Sequence, residues 1–214
     1  MQFIRIDTEA NREMKSNFLD DLNKEVIGVD EVGRGSWSGP LVACATLLNK
    51  KILGESVLTE IKDSKRLNKE KRKTLSKVIK INSIFSFGII SAKQIDKIGI
   101  QNATESAIKI SLRKFESLKN KIRIDGRKFF SIQKKSHEFL VKGDQKSVTI
   151  ASASILAKVF RDNIMEVLSK KFKGYDWENN AGYGTPKHII GLKKYGVSDE
   201  HRKSFKPILK ILDG

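Results

Sequence analysis

The sequence predicts a mixed α/β domain carrying a small helical extension. Three observations point there. Strand-like apolar runs alternate with amphipathic stretches of helical length. One continuous apolar run, Val26-Ile27-Gly28-Val29, ends on two adjacent acids, Asp30 and Glu31, in the manner of buried strands that deliver ligand-binding groups at their carboxyl ends. The 214 residues, 39 % of them apolar, suit one large domain or one domain plus an appendage. The expected division is residues 1–173 for the sheet-bearing domain and 174–214 for the extension.

The elements follow in order. Thr8 to Lys24 places Met14, Phe18 and Leu22 at four-residue intervals, a first amphipathic helix read as a packing element. Val26 to Asp30 and Leu41 to Leu48 are strand-like and joined by a glycine loop, as in an antiparallel hairpin. Lys62 to Lys69 reads as a basic surface segment. Asn68 caps a helix with Leu75, Val78 and Ile79 facing inward, and Ser83 to Ile90 alternates as a strand. Asn102 to Leu118 sets Ala103, Ala107, Ile110 and Phe115 near one helical face. Lys121 to Asp125 alternates into another acid, and Phe129 to Val141 suggests a further hairpin ending at Lys142-Gly143-Asp144.

Ser147 to about Lys171 is the longest helical pattern. Its first half, with Ala151, Ser152, Ala153, Ser154 and Ala157, is small enough for close approach to a sheet. Gly174 to Thr185 reads as irregular, and Pro186, Gly196 and Ile208 to Leu212 mark two short terminal helices.

Composition narrows the function. No apolar run approaches the ~20 residues of a membrane-spanning helix, and MQFIRIDTEANREMK lacks the apolar centre of a secretory signal, so a cytoplasmic protein is expected. The lone Cys44, flanked by Val42, Ala43 and Ala45, reads as a buried structural thiol. Forty-two Lys and Arg against 25 Asp and Glu leave a formal charge of +17, which favours a polyanionic partner through counterion release. Many of these lysines would be solvated helix faces in any protein, so nucleic acid needs a site to support it.

Four acids supply a candidate site: Asp30 and Glu31 after the first strand, Asp125 after a later one, and Asp144 before the long helix. Converging carboxylates repel and raise one another's pKa unless cations neutralise them, which favours a hard divalent metal site over a structural role. Glycines 33, 35 and 39 allow close backbone approach to a phosphate or sugar.

Two other classes compete. A dinucleotide fingerprint would use the same glycines with Glu55, but the spacing is off by one, and Asp30 and Glu31 would repel a pyrophosphate. A non-catalytic basic binding protein explains the charge and leaves Asp30-Glu31 unexplained.

VIGVDEVGRG, IKDSKRL, IRIDG, LVKGDQKS, IASASILAKVFRD and AGYGTPKH, in this order and spacing, together resemble the bacterial type 2 ribonucleases H, the ribonuclease HII family, from about Glu25 to Pro207. The resemblance implies a ribonuclease H-like α/β fold, a mixed five-stranded sheet flanked by helices, with a small C-terminal helical extension. It implies an endonuclease that cleaves the RNA strand of RNA–DNA hybrids and cuts 5′ of a single ribonucleotide in duplex DNA, leaving 3′-hydroxyl and 5′-phosphate ends.

Position by position, the resemblance implies metal binding and catalysis by Asp30, Glu31, Asp125 and Asp144, with two Mg2+ or Mn2+ ions in the active complex. It implies that Gly33, Arg34 and Gly35 form a clamp on the ribose 2′-hydroxyl and adjoining phosphates, and that Tyr183 stacks on the next deoxyribose. Lys65 and Lys142 are the lysines expected to touch phosphate. Asp162, four residues beyond Lys158, is read as an ion-pair partner instead of a ligand. His137, His188 and His201 lack zinc-ligand spacing and are expected on the surface or in hydrogen bonds. Trp37 departs from the proline or small residues usual in the family. Type 3 enzymes, which carry lysine in place of the clamp arginine and an extra N-terminal domain, are the runner-up. A monomer is expected, and a sliding clamp is a partner by analogy only, since SFKPILKILDG contains no convincing clamp-binding peptide.

Overall fold

A computed structural model describes residues 18–49, 55–62 and 67–213. Its centre is a five-stranded sheet in the order β3-β2-β1-β4-β5. Strand β1 (Ile27–Val32) pairs antiparallel with β2 (Leu41–Leu48), which pairs antiparallel with β3 (Ser83–Ile90). On its other side β1 runs parallel to β4 (Ile122–Asp125), and β4 runs parallel to β5 (His137–Leu140). The expected opening hairpin and the mixed five-stranded sheet are both present.

The sheet is covered on both faces, as the two-residue period of β2 dictates. Ala43 and Ala45 point into a core closed by α4 (Ala92–Ile98) and α5 (Ile100–Leu112), with Ile95, Ala103, Ala107 and Ile108. Val42 and Cys44 point the other way. They meet Phe18 of α1 (residues 18–24), Ile61 of α2 (Glu55–Lys62), Leu75 and Ile79 of α3 (Lys69–Ile81), and the small residues of α6 (Val148–Lys171). Cys44 is buried as expected, and burial pushes its thiol up to about 12.

Helix α6 packs tightly on β1. A β-carbon on Gly28 would fall 2.1 Å from the carbonyl carbon of Thr149, so the sheet and the helix touch through backbone. The absence of a side chain at Gly28 is what lets them do so. Ser147 caps α6 by accepting from the Ile150 amide at 3.2 Å, and Asn68 caps α3 by accepting from the Lys71 amide, as the sequence predicts.

Three expectations change, the third in the segment beyond α6. Phe129 to Val141 is not a hairpin: only β5 is a strand, and Phe129 and Phe130 turn inward against Phe139 as a lid on the core, with ring centroids 6.0 and 5.3 Å from it. The helix expected from Asn102 to Leu118 begins at Ile100 and ends at Leu112 in a 3-10 turn, Arg113–Phe115. Gly99, at φ 78°, separates it from α4, which hydrophobic spacing does not announce.

Beyond α6, the short helix α7 (Trp177–Asn180), then α8 (Pro186–Tyr195) and α9 (Lys206–Leu212) surround a third apolar cluster of Met165, Tyr175, Trp177, Leu192 and Ile208. Helix α7 lies in a stretch expected to be irregular. Among the described residues no helix is long and apolar enough to cross a membrane. Lys65, with residues 63–66 of the basic segment around it, lies outside the described residues, as does the first part of the expected N-terminal helix.

Candidate active site

Parallel pairing of β1 with β4 brings the acids together. Val29 stands opposite Ile124, so one step along the register sets Asp30 beside Asp125. Asp30 is 8 % exposed, and one of its carboxylate oxygens accepts from the Glu31 amide at 2.8 Å. Burial first, then the neighbouring charges of Glu31 and Asp125, hold the Asp30 carboxyl well above the usual range, against a hydrogen bond with Ser154 of α6. Glu31 is also raised, by burial in the first place and by Asp125, with Arg34 opposing the shift. Three acids therefore share one field.

Asp144 arrives by a different route. The Gly143 amide donates to Asp125 Oδ1 at 2.6 Å, and Gly143 opens the 3-10 turn Gly143–Gln145 that carries Asp144. A β-carbon at 143 would lie 2.7 Å from Ile150 Cδ1 and 3.1 Å from Asp125 Oδ1, so the turn packs closely against both the acid and the helix behind it. Lys142, expected to touch phosphate, occupies the left-handed position before the turn and is exposed. Among the described residues, no three His, Cys, Asp or Glu side chains close into a ready-made ion-binding cluster. The backbone gathers the acids at one end of the sheet without locking their side chains into a cage.

A carboxylate read only as part of a packing helix anchors this corner. Asp21 of α1 is buried. It accepts from Ser147 Oγ, from the Thr149 amide at 3.2 Å and Thr149 Oγ1 at 2.7 Å, and pairs with Arg123 of β4. It thus ties the first helix, the strand bearing Asp125 and the start of α6. The one sequence hint was an acid on the inward side of a helix, between Phe18 and Leu22. Asp162 pairs with Lys158 at 2.6 Å, the role expected of it.

The glycine loop after β1 is held from behind. Gly33 has φ 88°, and a β-carbon there would land 2.1 Å from Arg161 Nε. Arg34 projects into solvent with its guanidinium 5.7 Å from the Phe129 ring centroid. Gly35 is open except toward Tyr183, whose Cε1 would lie 3.9 Å from an added β-carbon. Tyr183 is 39 % exposed, so Gly33–Gly35 and this tyrosine border the same surface.

Trp37 has an evident place. Its amide donates to the Gly182 carbonyl at 2.9 Å, its carbonyl accepts from the Arg202 amide at 2.8 Å, and its indole fills the space where a Gly184 side chain would otherwise stand. It is a wedge between the loop after β1 and the segment from Gly182 to Gly184.

His188 and His201 are buried behind the loop. Ser198 N–H donates to His201 Nδ1 at 3.0 Å, so the His201 proton sits on Nε2 and points at His188 Nε2, 3.0 Å away. His188 Nδ1 then donates to the Tyr183 carbonyl at 2.9 Å, and Trp177 Nε1 donates to His188 Nε2 at 3.1 Å. Burial lowers both imidazoles, and His188 beside it helps carry His201 down to about 4. His137 bonds through Nδ1 to the Lys135 carbonyl at 2.9 Å. All three serve hydrogen bonds, as expected.

The family model described as Ribonuclease HII matches residues 27–208. Ribonuclease HII of Pelagibacter ubique is 44 % identical over 189 residues, spanning 88 % of this chain and all of the relative. The structure of the PCNA:RNase HII complex from Archaeoglobus fulgidus aligns with a TM-score of 0.73 at 22 % identity, over 87 % of this chain and 96 % of that one. Bst-RNase HIII in complex with Mn2+ aligns with a TM-score of 0.63 at 21 % identity, over 88 % and 69 % of the two chains. These likenesses share the ribonuclease H-like fold.

Proposed function

The chain belongs to the ribonuclease HII family and is an endoribonuclease, and from that premise we propose that it cuts RNA in RNA–DNA hybrids and 5′ of single ribonucleotides in duplex DNA in a metal-dependent reaction. The observation that carries this reading is the electrostatic load on Asp30. Its charge is buried and opposed by Glu31 and Asp125, a state that a hard divalent cation would relieve. Asp30, Glu31, Asp125 and Asp144 are the residues that would hold Mg2+ or Mn2+, two ions in the active complex. Such a pair, when bound, supplies an activated water and neutralises charge at the phosphate under attack.

The chain's own groups do the rest. Carboxylates alone suit a hard cation because their oxygens are its preferred donors. Gly33, Arg34 and Gly35 read the ribose: the 2′-hydroxyl is what distinguishes RNA from DNA at one nucleotide, and backbone groups at glycines reach it without hindrance. The exposed ring of Tyr183 stacks against the following sugar, where a deoxyribose leaves room for it. Lys142 lies beside the Asp144 turn and steadies phosphate, and Lys65 is assigned the same duty. The extension from Gly174 supplies Tyr183 and backs the clamp loop. The net charge of +17 favours the duplex as partner. Type 3 activity on continuous hybrids alone is the second reading; Arg34, where type 3 enzymes carry lysine, supports type 2.

A sliding clamp is a further partner to test, by analogy with the PCNA:RNase HII complex of Archaeoglobus fulgidus.

The deciding experiment incubates the protein with duplex DNA containing one ribonucleotide, in magnesium, in manganese and in chelator. A cut on the 5′ side, with metal only, is expected. Cleavage in chelator, or none with either metal, overturns the proposal.

A further inference from the structure

Arg161 is fully buried on α6, and its hydrogen bonds run to neutral acceptors in two separate loops. Nε donates to the Pro40 carbonyl at 2.8 Å. Nη2 donates to Ser36 Oγ at 2.8 Å and to the Ser38 carbonyl at 3.0 Å. Nη1 crosses to the Ala181 carbonyl at 2.8 Å, two residues before Tyr183. Ser36 Oγ also donates to a carbonyl within reach on either side, Ser38 at 2.9 Å and Ala181 at 3.1 Å. The guanidinium lies 5.9 Å from the Tyr183 ring centroid and directly beneath Gly33.

Arg202, equally buried, repeats the pattern from the other side: it donates to the Gly39 carbonyl through Nε at 3.1 Å and Nη2 at 3.0 Å, and through Nη1 to the carbonyl of Arg34 at 3.2 Å. Among the described residues, neither arginine forms an ion pair. Burying two cations side by side without an ion-pair partner is costly, and burial together with Arg161 lowers Arg202 to about 9 against the weaker pull of Tyr183 and Asp96. Pure packing would be met more cheaply by an apolar side chain. An arginine fork does what an apolar residue cannot: it fixes several carbonyls at set angles to one plane.

We propose that Arg161 is a positioning residue for junction recognition, holding the clamp residues Gly33–Gly35 and the sugar-stacking Tyr183 at one fixed separation. The inference rests on the proposed reading of the clamp and Tyr183. Discrimination of a ribose followed by a deoxyribose needs both readers at the correct spacing at once. A continuous hybrid presents the clamp with a ribose at many registers and leans less on that spacing. Charge has a part too: two cations beneath a loop that receives phosphates add attraction without touching the substrate.

The test compares the wild-type protein with Arg161→Lys and Arg161→Gln, each first shown by circular dichroism and thermal melting to be folded. Single-turnover rates in magnesium are measured on duplex DNA with one ribonucleotide and on a continuous RNA–DNA hybrid. Displacing one reader relative to the other by an ångström is expected to cost about 10- to 100-fold on the single-ribonucleotide substrate, with a several-fold smaller loss on the hybrid. Lysine keeps the charge and loses the fork, so its selectivity falls nearly as far as that of glutamine. Should both variants fail to fold, Ser36→Ala removes one strut of the same bridge and is expected to shift the ratio of the two rates in the same direction, about threefold. Equal losses on both substrates in a folded variant overturn the inference while leaving the activity standing. A wild-type protein that does not cut the single-ribonucleotide duplex overturns the functional reading beneath it.

Discussion

Gly28 of β1 and Thr149 of α6 meet backbone to backbone: a β-carbon on Gly28 would lie 2.1 Å from the Thr149 carbonyl carbon and 2.3 Å from the Ile150 amide nitrogen. Neither is the end of a flexible side chain that could swing away. Gly28→Ala is therefore expected to push α6 off the strand that carries Asp30, at a cost of about 3 kcal/mol. Urea unfolding of the purified variant measures it; a loss below 1 kcal/mol would mean that the helix yields easily.

Asp30→Asn should separate stability from chemistry. It removes a buried charge opposed by Glu31 and Asp125 and keeps an acceptor for the Glu31 amide. In metal-free buffer the variant is expected to melt about 2–4 °C higher, the effect of roughly 1 kcal/mol on a chain of this size, while its cleavage falls to background. Normal turnover in magnesium would remove Asp30 from the metal site.

Tyr183→Ala is expected to lower cleavage at a single ribonucleotide by about 10- to 100-fold, the value of ~1–3 kcal/mol for a lost aromatic stack, and to lower cleavage of a continuous hybrid less. Parallel rate measurements on the two substrates decide it. Equal losses would argue against stacking on the downstream sugar.

The His188–His201 pair makes stability depend on pH. Both imidazoles are held neutral in the folded protein, with His201 lowered to about 4, while in the unfolded chain they titrate near their ordinary pKa of about 6.5. Between those values the unfolded chain binds protons that the folded one refuses. Their contribution is thus intact above about pH 6.5 and is lost as pH falls toward 4, by about 1–3 kcal/mol. His201→Gln should flatten that decline relative to the wild type in denaturant titrations at pH 7, 6 and 5; parallel declines would show that other groups cause it.

Much of the acidic corner proposed as the active site was legible because its signals are local. Val26–Val29 reads as a buried strand from its own residues, and Asp125 follows from where its strand stops; Asp30 and Glu31 stand out as acids directly after the apolar run, although β1 continues through them to Val32. The small residues Ala151, Ser152, Ala153, Ser154 and Ala157 announce a close helix. What escaped depends on distant partners. Arg161 and Arg202 look like ordinary surface cations in VFRD and EHRK, and their acceptors stand 121 and 163 residues away in Pro40 and Gly39. Asp21 is hidden in the same way, since Ser147 lies 126 residues further on. Phe129 and Phe130 misled because aromatic residues favour strands and core lids alike, and only packing chooses.

The bond from Arg202 to the Arg34 carbonyl joins residues 168 apart in sequence. The acids of β1 emerge early in synthesis, and the loop beside them, which begins at Gly33, acquires its last supports only when Arg202 has been added. A chain still being translated thus holds all five strands of its sheet before this loop has its last support, and the ribose discrimination we propose for the loop would be among the last properties gained.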